Sequence, residues 1–399
     1  MPHPKRVLFI SGSLTGGGAE RVTSNLLAHL DRSRLALSLC LIRGRISYPL
    51  PEDVPLTILN DPRSRSTADD LPLARRARLK PWVVWNVVRQ LRRHIEETRP
   101  DLVVSNIDQV NCVTGAALRG IRSAPPWIAR IGNNPFFTAR WLRPWRKRCY
   151  QRATLVVANS SGLADGFRAL YRLDCERVQV IGNPTDFDKI AALAAQNANA
   201  IDVPPKPLLV SAGRLCRQKR FDVLLDAFAQ VRRRVDARLC ICGEGPLRKT
   251  LQKDIARLGL QQHVSLLGFC DNPYSWMSRA AVFVNTSDYE GLPNALIEAQ
   301  GLGVPAVATR CDYGPDEIID PGTTGYLVPT GDAPAVAESI EKLVADVVGR
   351  REMGNAAAAR MRRLYDVHKV VGDWEALLSR NSYRVNRPVS GATATLAWL

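Results

Sequence analysis

Short apolar runs alternate along this chain with amphipathic stretches of helical period. Arg6–Ile10, Leu35–Ile42, Asp101–Ser105, Trp127–Ile131, Leu155–Asn159 and Val178–Ile181 form one set. Leu208–Ala212, Leu239–Cys242, Val264–Leu267, Val282–Asn285 and Val304–Ala308 form another. An unbroken apolar run reads as a strand covered on both faces, which is the mark of a parallel sheet. Between the runs, Ala19–Leu30, Trp82–Glu97 and Phe221–Val231 read as helices. The last places Phe221, Leu224, Leu225, Phe228 and Val231 on one stripe. Strands separated by helices imply a doubly wound α/β sheet.

The pattern occurs twice, and 399 residues suit two domains of about 180 each. Asn183-Pro184 breaks the first set, and Pro204-Pro205-Lys206-Pro207 precedes the second. The expected organisation is a first domain over 1–183, a linker over 184–207, a second domain over 208–375 and an irregular tail over 376–399. The stretch Ser64–Lys80 has no period and reads as loop. Two such sheets facing each other would hold ligands in a central cleft, at the carboxyl ends of their strands.

Composition excludes several classes. At 46% hydrophobic and 23% charged, the chain is globular, not disordered. No run of 18 apolar residues offers a membrane span. The N-terminus enters the first strand without a leader-like apolar region. Nine cysteines show no pairing pattern, which fits a reduced, cytoplasmic protein. Cys240 and Cys242, two apart in an apolar strand, read as core.

The net charge of +17 is uneven. Residues 1–200 hold 30 Lys and Arg against 16 Asp and Glu; residues 201–399 hold 25 against 22. The densest parts are Lys80–Arg99 and Arg140–Arg148, where tryptophans are interleaved. Tryptophan with lysine and arginine suits the headgroup zone of an anionic bilayer. A solvated basic face is the alternative. No nucleic-acid-reading motif accompanies the charge, so nucleic acid is not an expected partner.

The most informative motif is Ser287-Asp288-Tyr289-Glu290-Gly291-Leu292-Pro293-Asn294-Ala295-Leu296-Ile297-Glu298-Ala299. It runs from an apolar strand through a Gly/Pro turn into a helix. A helix N-terminus after such a turn is an anion site, because free N–H groups and the helix dipole point at the ligand. Glu290 sits at its mouth. Glu298 lies about one turn into the helix, where a carboxylate can accept from a ribose hydroxyl. Gly12–Arg21 joins the first strand to the first helix, and its glycines allow close backbone approach to a phosphate or sugar. Gly213-Arg214 and Lys219 follow the first strand of the second set and offer two fixed cations for a diphosphate. Arg217 and Arg220 compete for that role. Asp186-Phe187-Asp188 looks like a metal-binding Asp-x-Asp, but its place in the linker argues against it.

These motifs, together with Gly268-Phe269, Asn272-Pro273-Tyr274, Gly303–Thr309 and Gly314–Ile319, resemble retaining glycosyltransferases of family 4. The resemblance is collinear over roughly residues 5–375. It implies the GT-B fold and transfer of a hexosyl or N-acetylhexosaminyl group from a nucleotide sugar, UDP foremost, with no cofactor and no metal. It implies that Glu290, Arg214 and Lys219 serve catalysis. It assigns Gly16, Gly17, Gly213, Glu244, Phe269, Cys270, Gly291, Leu292, Asn294 and Glu298 to substrate binding, with Phe269 and Cys270 pairing the base through their backbone. Many members carry a histidine near the reacting sugar; here Arg130-Ile131-Gly132-Asn133 has none, and Asn133 or Arg130 holds that place. The expected acceptor is a glycan or lipid-linked glycan, met by a peripheral enzyme on the inner face of the plasma membrane. A GT-B nucleotide-sugar epimerase and a basic nucleic-acid-binding protein are the alternatives.

Overall fold

The computed structural model describes residues 3–59, 81–134, 143–196 and 206–380. The chain divides into two compact units, Met1–Gly182 with Val370–Leu399, and Asn183–Lys369.

The first unit is built on seven parallel strands. They are β1 (Lys5–Ser11), β2 (Leu35–Leu41), β3 (Leu56–Ile58), β4 (Leu102–Asn106), β5 (Trp127–Ile131), β6 (Leu155–Ala158) and β7 (Val178–Val180), in the order β3-β2-β1-β4-β5-β6-β7. Strands β4, β5 and β6 are buried throughout, as their unbroken apolar runs require. The edge strand β3 was not expected. It has only three residues, and Leu56 and Ile58 are exposed, so no apolar run announces it.

The second unit holds β8 (Leu208–Ala212), β9 (Arg238–Cys242), β10 (Val264–Gly268), β11 (Val282–Asn285), β12 (Ala306–Thr309) and β13 (Gly325–Val328), in the order β10-β9-β8-β11-β12-β13. All pairings are parallel. Alternate strand residues enter opposite layers. Leu209, Ile241 and Val284 pack with Phe221, Leu224 and Phe228 of the helix Phe221–Val231. Val210, Cys240, Cys242 and Phe283 pack with Phe187, Leu296 and Met361 on the other face.

Both sheets reverse their winding in the middle, between β1 and β4 and between β8 and β11. In a doubly wound sheet this switch point opens a crevice at the carboxyl ends of the strands, where ligands bind.

Two boundaries differ from the sequence expectation. The stretch read as linker contains a helix, Phe187–Gln196, with Phe187, Ile190 and Ala194 buried in the second unit. Its alanine-rich sequence hides that three-residue stripe. The tail expected from 376 begins inside the last described helix, Val367–Leu378. Lys5 Nζ donates to Leu378 O at 2.9 Å, and Asp31 N donates to Glu375 Oε1 at 2.9 Å, so this helix end is fixed to the first unit. Ser64–Lys80 and 381–399 lie outside the described residues. Among the described residues no helix is long and apolar enough to cross a membrane.

Candidate active site

The loops after β8 and β9 lie against each other. Gly213 N donates to Cys242 O at 2.9 Å, Leu215 N to Glu244 O at 3.0 Å and Leu247 N to Leu215 O at 3.0 Å. A Cβ on Gly243 would stand 1.9 Å from Gly213 O, and one on Gly245 would stand 2.5 Å from Leu215 O, so only glycine permits this approach. A Cβ on Gly213 would press on Lys219 Cε at 3.1 Å. Gly213 therefore leaves room for the lysine stem.

That stem crosses the switch point. Lys219 Nζ reaches Glu290 Oε1 at 2.5 Å, with the lysine side chain 20% and the glutamate side chain 8% exposed. A buried carboxylate needs such a partner. Ser287 Oγ donates to the same oxygen at 2.6 Å. Three further links fasten the two loops. Gln218 Nε2 donates to Tyr289 O at 2.8 Å, Asp288 N donates to Gln218 O at 2.9 Å, and Arg220 Nη1 pairs with Asp288 Oδ1 at 2.9 Å. Arg220 holds a left-handed φ of 46° between a short 3-10 turn and the next helix, and it also grips Asp222. Of the competing cations, Arg220 is thus engaged in bracing, while Arg214 and Arg217 are exposed.

After Glu290 the chain turns tightly. Gly291, Leu292 and Pro293 are buried, and the helix Asn294–Gly301 begins with no side-chain cap. The turn fits because position 314 is glycine: with φ of +97°, a Cβ there would strike Gly291 O at 2.5 Å. Asn183 Nδ2 donates to Leu292 O at 3.3 Å and to Asn294 Oδ1 at 2.5 Å. Glu298 is buried at 3% exposure, four residues beyond Asn294 and so on the same side of the helix. Glu244 is exposed and pairs with Arg248 at 2.9 Å; Phe269 is 63% exposed, and Cys270 is half-buried.

In the first unit, the loop after β1 carries Gly16 at φ of +62°, with open space around it. A Cβ on Gly17 would fall 2.0 Å from Glu20 Oε2, so Gly17 makes space for that carboxylate. Arg130, at the end of β5, is buried, and its Nη1 donates to Asn106 Oδ1 at 2.8 Å. Burial lowers its pKa to about 10, opposed by the charge of Glu20. Asn133 is exposed, so of the two residues proposed for the missing histidine only Arg130 enters this buried group.

Two expectations take a different form. Asp186 Oδ1 accepts from Lys189 N at 2.9 Å, and Asp188 pairs with Arg362 at 2.9 Å on the surface. The pair thus opens a helix. In the basic cluster, Arg146 is buried and paired with Asp108, whose Oδ1 also accepts from Tyr150 Oη at 2.7 Å. Trp145 and Arg148 remain exposed on that helix, Arg143–Tyr150; Arg140, Trp141 and Leu142 lie outside the described residues.

Sequence reading missed Ser287's contact with the glutamate, the bracing by Gln218 and the reach of Asn183. Each is a polar residue in a loop, and only the folded contacts distinguish it from a solvated one.

Two doubly wound units, with a cation and a carboxylate meeting at the switch point of the second, fit the GT-B architecture that the sequence resemblance implies. Comparison with known proteins agrees. The family model described as "Glycosyltransferase Family 4" matches residues 16–189, and "Glycosyl transferases group 1" matches residues 195–360. The chain belongs to the family 4 GT-B glycosyltransferases and is an enzyme of that class. It is 26% identical over 368 residues to the N-acetylgalactosamine-N,N'-diacetylbacillosaminyl-diphospho-undecaprenol 4-alpha-N-acetylgalactosaminyltransferase of Campylobacter jejuni, covering 90% of this chain and 96% of the relative. It is 31% identical over 205 residues to the lipopolysaccharide core biosynthesis glycosyltransferase LpsE of Rhizobium meliloti, covering 51% and 57%. Among solved structures it is similar in fold to Anabaena Alr3699/HepE in complex with UDP and glucose, at TM-score 0.77 and 21% identity over 94% of this chain and 100% of that one.

Proposed function

We propose that this chain transfers a sugar from a UDP-sugar, with retention of anomeric configuration, to a lipid-linked or lipopolysaccharide-type glycan. The observation that carries the donor assignment is the meeting of Lys219 and Glu290 at the carboxyl ends of β8 and β11. The acceptor class rests on the activities for which the Campylobacter and Rhizobium relatives are named and on the basic first unit.

In this scheme Lys219 and Arg214 bind the diphosphate and offset the charge that builds on it as the sugar–phosphate bond breaks. The uncapped start of the helix Asn294–Gly301 adds backbone N–H groups to the same anion. Glu298 accepts from the ribose hydroxyls, and the backbone of Phe269 and Cys270 pairs with the base. Glu290 and the turn Gly291–Asn294 hold the sugar. The acceptor oxygen attacks the anomeric carbon on the face the diphosphate leaves. The carbon–oxygen bond to phosphate breaks, and the acceptor's proton passes to the departing phosphate oxygen. Lys219 exchanges part of its contact with Glu290 for phosphate as the donor binds. The loops around Gly16, Gly17 and Arg130 take the acceptor. Trp85, half exposed beneath the Arg89 guanidinium at 5.1 Å, and the exposed Trp145 with Lys147 and Arg148 would rest on an anionic membrane surface.

A screen of nucleotide sugars by thermal shift and by slow donor hydrolysis tests this. UDP-sugars should stabilise the protein and be hydrolysed. Stabilisation by GDP- or ADP-sugars in their place would overturn the UDP assignment.

A further inference from the structure

Ser287 and Glu290 lie three residues apart in the loop after β11, and both are buried, while Asp288 between them pairs with Arg220. Ser287 is tied to the ends of two strands. Thr309 Oγ1, at the end of β12, donates to Ser287 O at 2.5 Å. Ser287 N donates at 3.3 Å to Asn285 Oδ1, at the end of β11. The Ser287 hydroxyl has one hydrogen and two acceptors in reach, Glu290 Oε1 at 2.6 Å and Asn285 Oδ1 at 2.7 Å. Asn285 already has the Ser287 N–H, so the hydroxyl is able to serve the glutamate.

The two oxygens of Glu290 differ. Lys219 and Ser287 both meet Oε1. Among the described residues Oε2 meets only Gln218 Nε2, at the long distance of 3.5 Å. An ionised carboxylate offers acceptor sites on both oxygens, so Oε2 keeps capacity for a ligand hydroxyl. Lys219 has a flexible stem, and in the proposed scheme it turns toward the diphosphate. Ser287 is wholly buried and fastened to two strand ends, so it stays where it is.

We propose that Ser287 is a positioning residue for the transfer: it fixes Glu290 Oε1 while Lys219 turns to the diphosphate, and so presents Oε2 to a hydroxyl of the donor sugar. As the bond to phosphate breaks, the sugar becomes electron-poor and its hydroxyls donate more strongly. A misplaced Oε2 therefore costs turnover more than it costs UDP affinity. The inference rests on the proposed roles of Glu290 and Lys219 at the donor.

A double-mutant cycle on the intact protein tests this, with UDP binding by calorimetry and hydrolysis of a panel of UDP-hexoses and UDP-N-acetylhexosamines as readouts. Ser287→Ala should lower kcat about tenfold and leave UDP affinity unchanged. Glu290→Gln should also lower kcat, and adding Ser287→Ala to it should change the rate by less than about twofold. Ser287→Cys, which keeps the volume and a weaker donor, should fall between wild type and Ser287→Ala, and it replaces that variant in the cycle if Ser287→Ala does not fold. Ser287→Ala as active as wild type overturns the positioning role, and a slow Glu290→Gln beside it leaves the glutamate's role standing. Equal losses from Ser287→Ala in both backgrounds overturn it too, because they mark a serine that acts on the fold and not through Glu290. Glu290→Gln as active as wild type, or wild type that hydrolyses no member of the panel, overturns the donor scheme and the inference with it.

Discussion

Lys219 Nζ stands 2.5 Å from Glu290 Oε1, an ion pair that joins the loops after β8 and β11 and is mostly shielded from water. Removing the lysine leaves a buried carboxylate without its cation. Lys219→Ala should therefore lower stability by about 3 kcal/mol and turnover by about 10²–10³-fold. Arg214 is exposed, so Arg214→Ala should lower turnover by a similar factor with little change in melting temperature. Paired thermal unfolding and single-turnover kinetics separate the two effects. Turnover within a few-fold of wild type for both variants would place the diphosphate elsewhere.

Gly314 should not tolerate a side chain. Its φ of +97° and the 2.5 Å approach of a Cβ to Gly291 O mean that Gly314→Ala must move the turn that follows Glu290. Denaturant unfolding should show a loss of about 1–3 kcal/mol, and activity should fall with it. A variant as stable and active as wild type would show that this turn shifts freely.

Activity should survive EDTA. Asp186 caps a helix and Asp188 pairs with Arg362, so both carboxylates already have structural work. In the proposed scheme Lys219 and Arg214 provide the charge that a metal supplies in other transferases. Activity lost in EDTA and restored by a divalent cation would refute metal independence.

The membrane surface should be removable without harming the donor site. Reversing Lys147 and Arg148 and replacing Trp145 should release the protein from anionic vesicles, since each basic residue near such a surface contributes about 1 kcal/mol. Arg146 is left alone because it is buried on Asp108. Raising salt should have the same effect, and donor hydrolysis should persist. Wild-type protein that does not sediment with anionic vesicles at low salt would contradict the membrane assignment.

Much of this arrangement was legible in the sequence where burial writes a strong pattern. The wholly buried β4, β5 and β6 show as apolar runs, and the stripe from Phe221 to Val231 shows as a helix. The three-residue β3, exposed at the sheet edge, leaves no such trace. The Phe187 helix hides in alanine-rich sequence. At the site, the glycines and the two glutamates were visible as residue types with few uses. Ser287, Gln218 and Asn183 were not, because their roles come from chain segments that meet only on folding. Arg146 misled for the opposite reason: its charge suggests the surface, and Asp108 draws it inside.

The most direct measurement is calorimetric binding of UDP to wild type and to Glu298→Gln. Glu298 is 3% exposed on the helix that starts at Asn294, the helix assigned to the donor. Wild-type protein should bind UDP. The variant, which keeps the shape but loses the charged acceptor, should bind more weakly by roughly 1.5–3 kcal/mol while melting near the wild-type temperature. Equal affinity in the two proteins would contradict the placement of the donor ribose on Glu298.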